Sequence, residues 1–172
     1  MSDVLEVERQ AAVDPRAFRE AMANHAASVA VLTVSAGEQT LGVTISSLIS
    51  LSLDPPLVLF ALHRHSSMLA RIERGRFGIT VLGESQSRIA QRLASRDRPA
   101  VPREWLHPAE AAEGAATIAG GAVRLTATLF QRWDAGDHVC IAAQVLRAQG
   151  CNRWPLMHIR SGFAALAVPI DR

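Results

Sequence analysis

The feature of this chain that most restricts its fold is a series of short apolar runs, each closed by a turn signal. The first is Ser28-Val29-Ala30-Val31-Leu32-Thr33-Val34, and others lie at residues 40–45, 57–62, 77–82, 122–133 and 138–146. Shorter runs occupy residues 157–159 and 163–168. They are rich in β-branched residues and mostly too short for core helices, so they predict strands. Ala36-Gly37-Glu38 and Ala135-Gly136-Asp137 read as hairpin turns between neighbouring runs. Helical signals are fewer. Asp14-Pro15 starts a helix with Phe18, Met22 and His25 on one face. Ser66 or Ser67 is expected to cap a short helix carrying Leu69 and Ile72, ended by Gly75. Ser85 is expected to open another, with Ile89 and Leu93 one turn apart. Residues 96–121 hold three prolines and read as an irregular excursion with one helical turn. Strands outnumber helices, which favours a mainly β antiparallel barrel with peripheral helices over a doubly wound α/β sheet.

With 172 residues, 49% of them hydrophobic, the chain is sized for one domain. The expected division is a lead-in at residues 1–13 and a single domain at 14–172. The formal net charge is only +2, and arginines alternate with acids as on a solvated surface. Sparse aromatics and the absence of tyrosine argue against a base-stacking platform, so no nucleic-acid partner is expected. Two cysteines make no disulfide framework, and Cys140 reads as a small buried hydrophobe. The N-terminus lacks the apolar core of a signal peptide, and no run approaches the roughly 20 apolar residues of a membrane span. A cytoplasmic protein without a membrane partner is the expectation.

The chemistry concentrates in Thr44, Ser46, Ser47, Ser50 and Ser52, followed by Asp54-Pro55-Pro56 and the strand at 57–62. Thr44 and Ser46 share a strand face, with Ser47 turned by a bend. A phosphorylated ligand and an exposed polar strand face both account for this pattern. Arg64 beside Ser66 and Ser67 suits an anion at a helix start, and equally an ordinary cap beside a surface arginine. His63-x-His65 lacks further ligands at metal spacing, so one inward and one outward histidine is expected and no metal. His138 follows the Gly136-Asp137 turn at a strand mouth, where it can hold a carboxamide or simply continue the strand. No G-x-G-x-x-G follows the first strand, and there is no Walker lysine or G-x-S-x-G elbow.

As an ordered set these residues resemble the short-chain flavin reductases, the reductase components of two-component flavin-dependent monooxygenases. The most specific match is Gly42-x-Thr44-x-Ser46-Ser47-Leu48-x-Ser50-Leu51-Ser52-Leu53-Asp54-Pro55-Pro56. The run from Gly75 to Gln86, Gly136-Asp137-His138, Phe18-Arg19, Arg92-Leu93-Ala94-Ser95 and Arg160-Ser161-Gly162-Phe163 follow in order. Ser46 stands where the family often has asparagine, Ala143-Gln144 replaces a common Gly-Glu, and an aspartate-lysine-phenylalanine after Arg96 is missing. The resemblance implies a flavin-binding split β-barrel, a homodimer, and reduction of FMN or FAD by NADH or NADPH for a partner monooxygenase. It puts flavin contacts on Gly42, Thr44, Ser46, Ser47, Ala61, Leu62, His63, Arg64, Ser66 and Ser67, with Arg92 and Ser95 closing over the phosphate. His138 becomes the candidate catalytic residue, in an orienting role, with Arg160 and Phe163 on the nicotinamide side. An oxidoreductase that retains its flavin for an organic substrate, and a flavin-binding protein without reductase activity, are the alternatives.

Overall fold

The computed structural model describes residues 12–95, 97–107 and 115–166. Most of the expected lead-in and residues 167–168 of the last expected strand lie outside them. The first helix, α1 (Pro15–Met22), starts as its sequence requires: Asp14 Oδ1 accepts the amides of Arg16 and Ala17 at 2.9 and 3.1 Å. Phe18 and Met22 lie on its exposed surface.

The strands are β1 (Ala27–Ser28), β2 (Ala30–Ala36), β3 (Gln39–Ile45), β4 (Ile49–Leu53), β5 (Pro56–His63), β6 (Phe77–Val81), β7 (Val123–Ala135), β8 (His138–Gly150), β9 (Met157–Ile159) and β10 (Gly162–Ala164). Helix α2 (Leu69–Ile72) precedes β6 and α3 (Ser87–Ala94) follows it. Seven strands form one antiparallel sheet in the order β3-β2-β6-β7-β8-β5-β4, and β1-β9-β10 form a smaller one. A doubly wound parallel sheet is therefore excluded.

Strands β3 and β4 occupy opposite edges of the seven-stranded sheet, yet only residues 46–48 join them. Laid flat, seven strands would span roughly 29 Å between the outer strand axes. The link reaches at most roughly 14 Å. The sheet therefore curls until its edges approach. Its concave face encloses a core of Leu32, Ile45, Phe60, Leu62, Phe77, Ile79 and Ile141. Phe60 and Phe77 meet edge to face with centroids 6.1 Å apart. A second core, including Val31, Leu82, Leu93, Val101 and Ile118, packs α3 and the later excursion on the other face.

Two buried threonines fasten that excursion to the sheet. Thr33 Oγ1 donates to Ala116 O, and Thr80 Oγ1 accepts the Ile118 amide at 2.8 Å. Gly78 makes the approach possible, since a Cβ there would lie 2.2 Å from Ala116 O.

Several local expectations are corrected. Residues 49–53 form an additional strand, β4, with Ile49, Leu51 and Leu53 all exposed and a bulge between Ser50 and Ser52. Helix α2 starts after Met68, so neither Ser66 nor Ser67 caps it. Helix α3 starts after Gln86, not at Ser85. The Gln86 side chain accepts the Gly83 amide and donates to Ala119 O, which ties the preceding turn in place. Cys140 is half-buried rather than buried.

Gly78→Ala is expected to destabilise the protein by about 1–3 kcal/mol through overpacking, while Gly75→Ala, where a Cβ meets nothing within 4 Å, serves as a near-neutral control. Urea denaturation compares the two. Equal midpoints would remove the close-approach argument.

Candidate functional site at the mouth of β5 and β8

Strands β5 and β8 pair so that His63 stands opposite His138. Alternation along the strands sends Phe60, Leu62, Val139 and Ile141 into the core. It turns Ala61, His63, His138 and Cys140 to the outer face. The rings of His63 and His138 meet edge to face with centroids 5.5 Å apart. Both His63 and His65 are exposed, which corrects the expected inward–outward split.

The turn that presents His138 is fixed from the β5 side. Gly136 takes φ +64°, a conformation suited to glycine. The Arg64 amide donates to Asp137 O at 3.0 Å, and the Arg64 guanidinium donates to Gly136 O. Arg64 is therefore a fastener of the turn in this structure. Asp137 Oδ1 and His138 Nδ1 are 2.6 Å apart. That hydrogen bond is the main reason the Asp137 carboxyl is held below its ordinary value. Desolvation opposes it as the next largest influence, and the charge of His138, a backbone hydrogen bond and the charge of His63 add to the lowering.

The expected phosphate residues divide into two groups. Ser46 and Ser67 are exposed at this end of the sheet. Ser47 Oγ accepts the Ala61 amide at 2.9 Å and donates to Ala61 O at 3.3 Å, so it holds the β3–β4 link against β5. Ser66 Oγ accepts the Met68 amide at 3.3 Å in a tight turn, not at a helix cap. Gly42 and Thr44 face α3. A Cβ at Gly42 would lie 2.8 Å from Val101, and Thr44 Oγ1 donates to Ala90 O at 2.8 Å. Both residues thus contribute to the packing of α3 against β3.

The guanidinium of Arg92 lies 6.0 Å from the Trp105 ring centre, a stacking partner that its sequence spacing does not reveal. Ser95 ends α3 in extended conformation and its carbonyl accepts from Arg98. Arg160 and Phe163 belong to the smaller sheet. Arg160 takes φ +50° and donates through its amide to Ala23 O and through Nε to Asn24. Phe163 meets the His158 ring. None of these described contacts reaches His138. A cavity of about 370 Å³, bordered by Arg64, Trp133 and Val139, adjoins the mouth. A larger one of about 710 Å³ lies between the β2–β3 turn and residues 100–106, away from the histidines.

The model for the flavin reductase like domain family matches residues 22–167. The chain belongs to that family. It is 35% identical to the NADH-dependent FMN reductase AsuE2 of Streptomyces nodosus subsp. asukaensis, over 88% of this chain and 85% of the relative. It is 30% identical to the reductase component of 4-hydroxyphenylacetate 3-monooxygenase of Thermus thermophilus, over 89% of this chain and 97% of the relative. Among solved structures, the NADH:FAD oxidoreductase SgcE6 of Streptomyces globisporus, in complex with NAD and FAD fragments, superposes with a TM-score of 0.81 at 26% identity. That match covers 94% of this chain and all (100%) of the other.

The local chemistry fits a flavin. Ala61 and Cys140 sit opposite each other on the outer strand face and offer a floor of small side chains for a flat ring. The hydroxyls of Ser46 and Ser67 are exposed, and a hydroxyl is a donor of the kind that phosphate oxygens accept.

Because the Asp137 carboxyl is held below 3.8, its contribution to the native mouth is full above 3.8 and is lost as pH falls through the folded-state value. A carbon-13 NMR titration is expected to place the Asp137 midpoint below 3.8, and His138→Ala to return it toward 3.8. An unchanged midpoint in the variant would show that the imidazole is not the cause.

Proposed function

We propose that this chain is an NAD(P)H-dependent flavin reductase that delivers reduced FMN or FAD to a partner monooxygenase. The observation that carries the reading is the paired His63 and His138 beside a small-residue strand face, in a chain of the flavin reductase like family. The names of the two relatives, an NADH-dependent FMN reductase and a monooxygenase reductase component, support the activity and the class of partner.

Ser46 and Ser67 are assigned to the flavin phosphate, with Arg92 and Ser95 at the end of α3 closing that side. Ser47 acts through Ala61, whose backbone it fixes, and Leu62 supports the seat from the core. A bound flavin supplies the hydride acceptor for a reduced nicotinamide. The chain contributes orientation: a reacting pair held roughly 3–3.5 Å apart reacts as one unit rather than by chance encounter. His63 and His138 orient the dinucleotide, and Arg64 keeps their strand ends together.

The curl imposed by the link at residues 46–48 supports a split barrel, open between β3 and β4. A homodimer is supported by apolar side chains on the convex side. Ile49 and Trp133 share the outward face by register, and Leu51 of β4, Phe130 of β7 and Leu146 of β8 are also exposed. Free thiols at Cys140 and Cys151 support a reducing, cytoplasmic location.

Anaerobic stopped-flow mixing with FMN or FAD and NADH or NADPH tests the activity. The expected result is rapid bleaching with many turnovers of added flavin. Flavin bound without bleaching, or retained through gel filtration with poor turnover of added flavin, would overturn it. Ser46→Ala with Ser67→Ala is expected to weaken flavin binding by roughly 0.5–1.5 kcal/mol per hydroxyl, and unchanged titration curves would remove the phosphate assignment. Light scattering should give a dimeric mass that Trp133→Glu reduces to a monomer; a monomeric wild type would refute the dimer.

A further inference from the structure

At the end of β8 away from the histidines, a change of register turns two polar side chains outward. Ala127 pairs with Val145, and both pack in the core enclosed by the sheet. Strict alternation from Val145 would send Arg147 and Gln149 to that same side. The ladder instead shifts between Thr126 and Ala127, where Leu146 is the extra, exposed residue of a bulge. Beyond the bulge Arg147 pairs with Thr126 and Gln149 with Arg124, while Ala148 stands opposite the core residue Leu125. Two guanidiniums, an amide and a hydroxyl thus share the outer face. Arg124 and Thr126 form its buried floor, at 8% and 6% exposure, and Arg147 and Gln149 are exposed at its rim. The four residues border a cavity of about 380 Å³. The Arg124 guanidinium donates to Gln149 Oε1, which fixes its orientation.

We propose that this face binds a phosphate group, either inorganic phosphate or the phosphate of a small phosphorylated compound, between the guanidiniums of Arg124 and Arg147. The two arginines are diagonal neighbours on paired strands, a spacing of roughly 7–8 Å. Two long side chains at that spacing reach one oxyanion from two sides. Each guanidinium presents parallel N–H donors that match a pair of phosphate oxygens. Two positive charges also match the nearly double negative charge of a phosphate at neutral pH. A carboxylate, with one charge and two oxygens, satisfies only one of the arginines. Thr126 adds a hydroxyl donor, and Gln149 keeps its amide nitrogen as a donor while its oxygen holds Arg124. Burial of the Arg124 side strengthens the attraction, because the floor is less screened than open surface. The site lies at the opposite end of β8 from His138 and stands independently of the flavin reductase reading.

Isothermal titration of the flavin-free protein with inorganic phosphate and with glycerol 3-phosphate tests the site. Saturable binding is expected, and the tighter of the two compounds tells whether the free ion or an ester is the better occupant; either supports the site. Arg147→Gln should weaken binding roughly tenfold or more. Gln149→Glu, which sets a carboxylate against Arg124, should abolish it. Both substitutions change exposed side chains, so the fold survives them. Ser46→Ala with Ser67→Ala, at the mouth, should leave phosphate binding unchanged. Absence of saturable binding by the wild type, or equal affinity in Arg147→Gln, would overturn the proposal. Loss of binding in the Ser46 and Ser67 variant alone would assign the phosphate to the mouth and overturn it as well.

Discussion

Residues 46–48 must carry the chain from one edge of the seven-stranded sheet to the other, and the sheet has to curl for them to succeed. The curl makes an enclosed core from strands far apart in order, so that Ile45 of β3 and Phe60 of β5 belong to one cluster. It also places the link beside β5, where Ser47 bonds both backbone groups of Ala61. Each bond of this kind contributes only about 1 kcal/mol net. Its weight lies in geometry, because it joins the link to the strand that ends in His63. The same three residues thus shape the core and brace the strand that carries His63.

The mouth inherits its order from the ladder. Residues that face outward on β5 and β8 alternate with core residues such as Leu62 and Val139, each almost fully enclosed. A side chain on such a strand moves only if the packed neighbour moves, and packed interiors resist that. The turn at Gly136-Asp137 is the exposed part, and it is held by the amide and guanidinium of Arg64. An arginine that the sequence offers as an anion ligand is thereby committed to backbone carbonyls. Its positive charge remains near the candidate site, while its amide and one guanidinium nitrogen serve the turn.

Much of the architecture was legible because turn glycines and apolar runs mark strand boundaries locally. Gly37 and Gly136 take positive φ in the hairpins their sequences announce. Strand β4 was missed because its apolar residues Ile49, Leu51 and Leu53 face outward, so no buried run advertises it. The starts of α2 and α3 were misplaced because serine is a good cap only where its hydroxyl reaches the first turn. Here Gln86 is anchored to Gly83 and Ala119, a contact across 33 residues that composition does not reveal. Gly42 and Thr44 belong to the motif that marked the site, yet their faces were decided by α3, which packs on them from later in the chain. Motif order identifies the family. Which motif residues touch a ligand depends on tertiary contacts.

A histidine pair across an antiparallel ladder behaves differently from two histidines along one strand. His63 and His65 lie two residues apart and are coupled through the backbone, since the His65 amide bonds the His63 ring. His63 and His138 are coupled through register, which is set by the whole β5–β8 ladder from Leu57 opposite Gln144 onward. A slip of one residue would exchange core and outer faces along the slipped strand and separate the two rings. The energetic barrier to such a slip is the burial of Phe60, Leu62, Val139 and Ile141. Ring pairing at the mouth is therefore specified by apolar residues buried in the core. Arg160 and Phe163, on the smaller sheet, lack that constraint. They are held instead by the Ala23 carbonyl, Asn24 and His158, so their relation to the mouth is set by how the two sheets meet rather than by strand register.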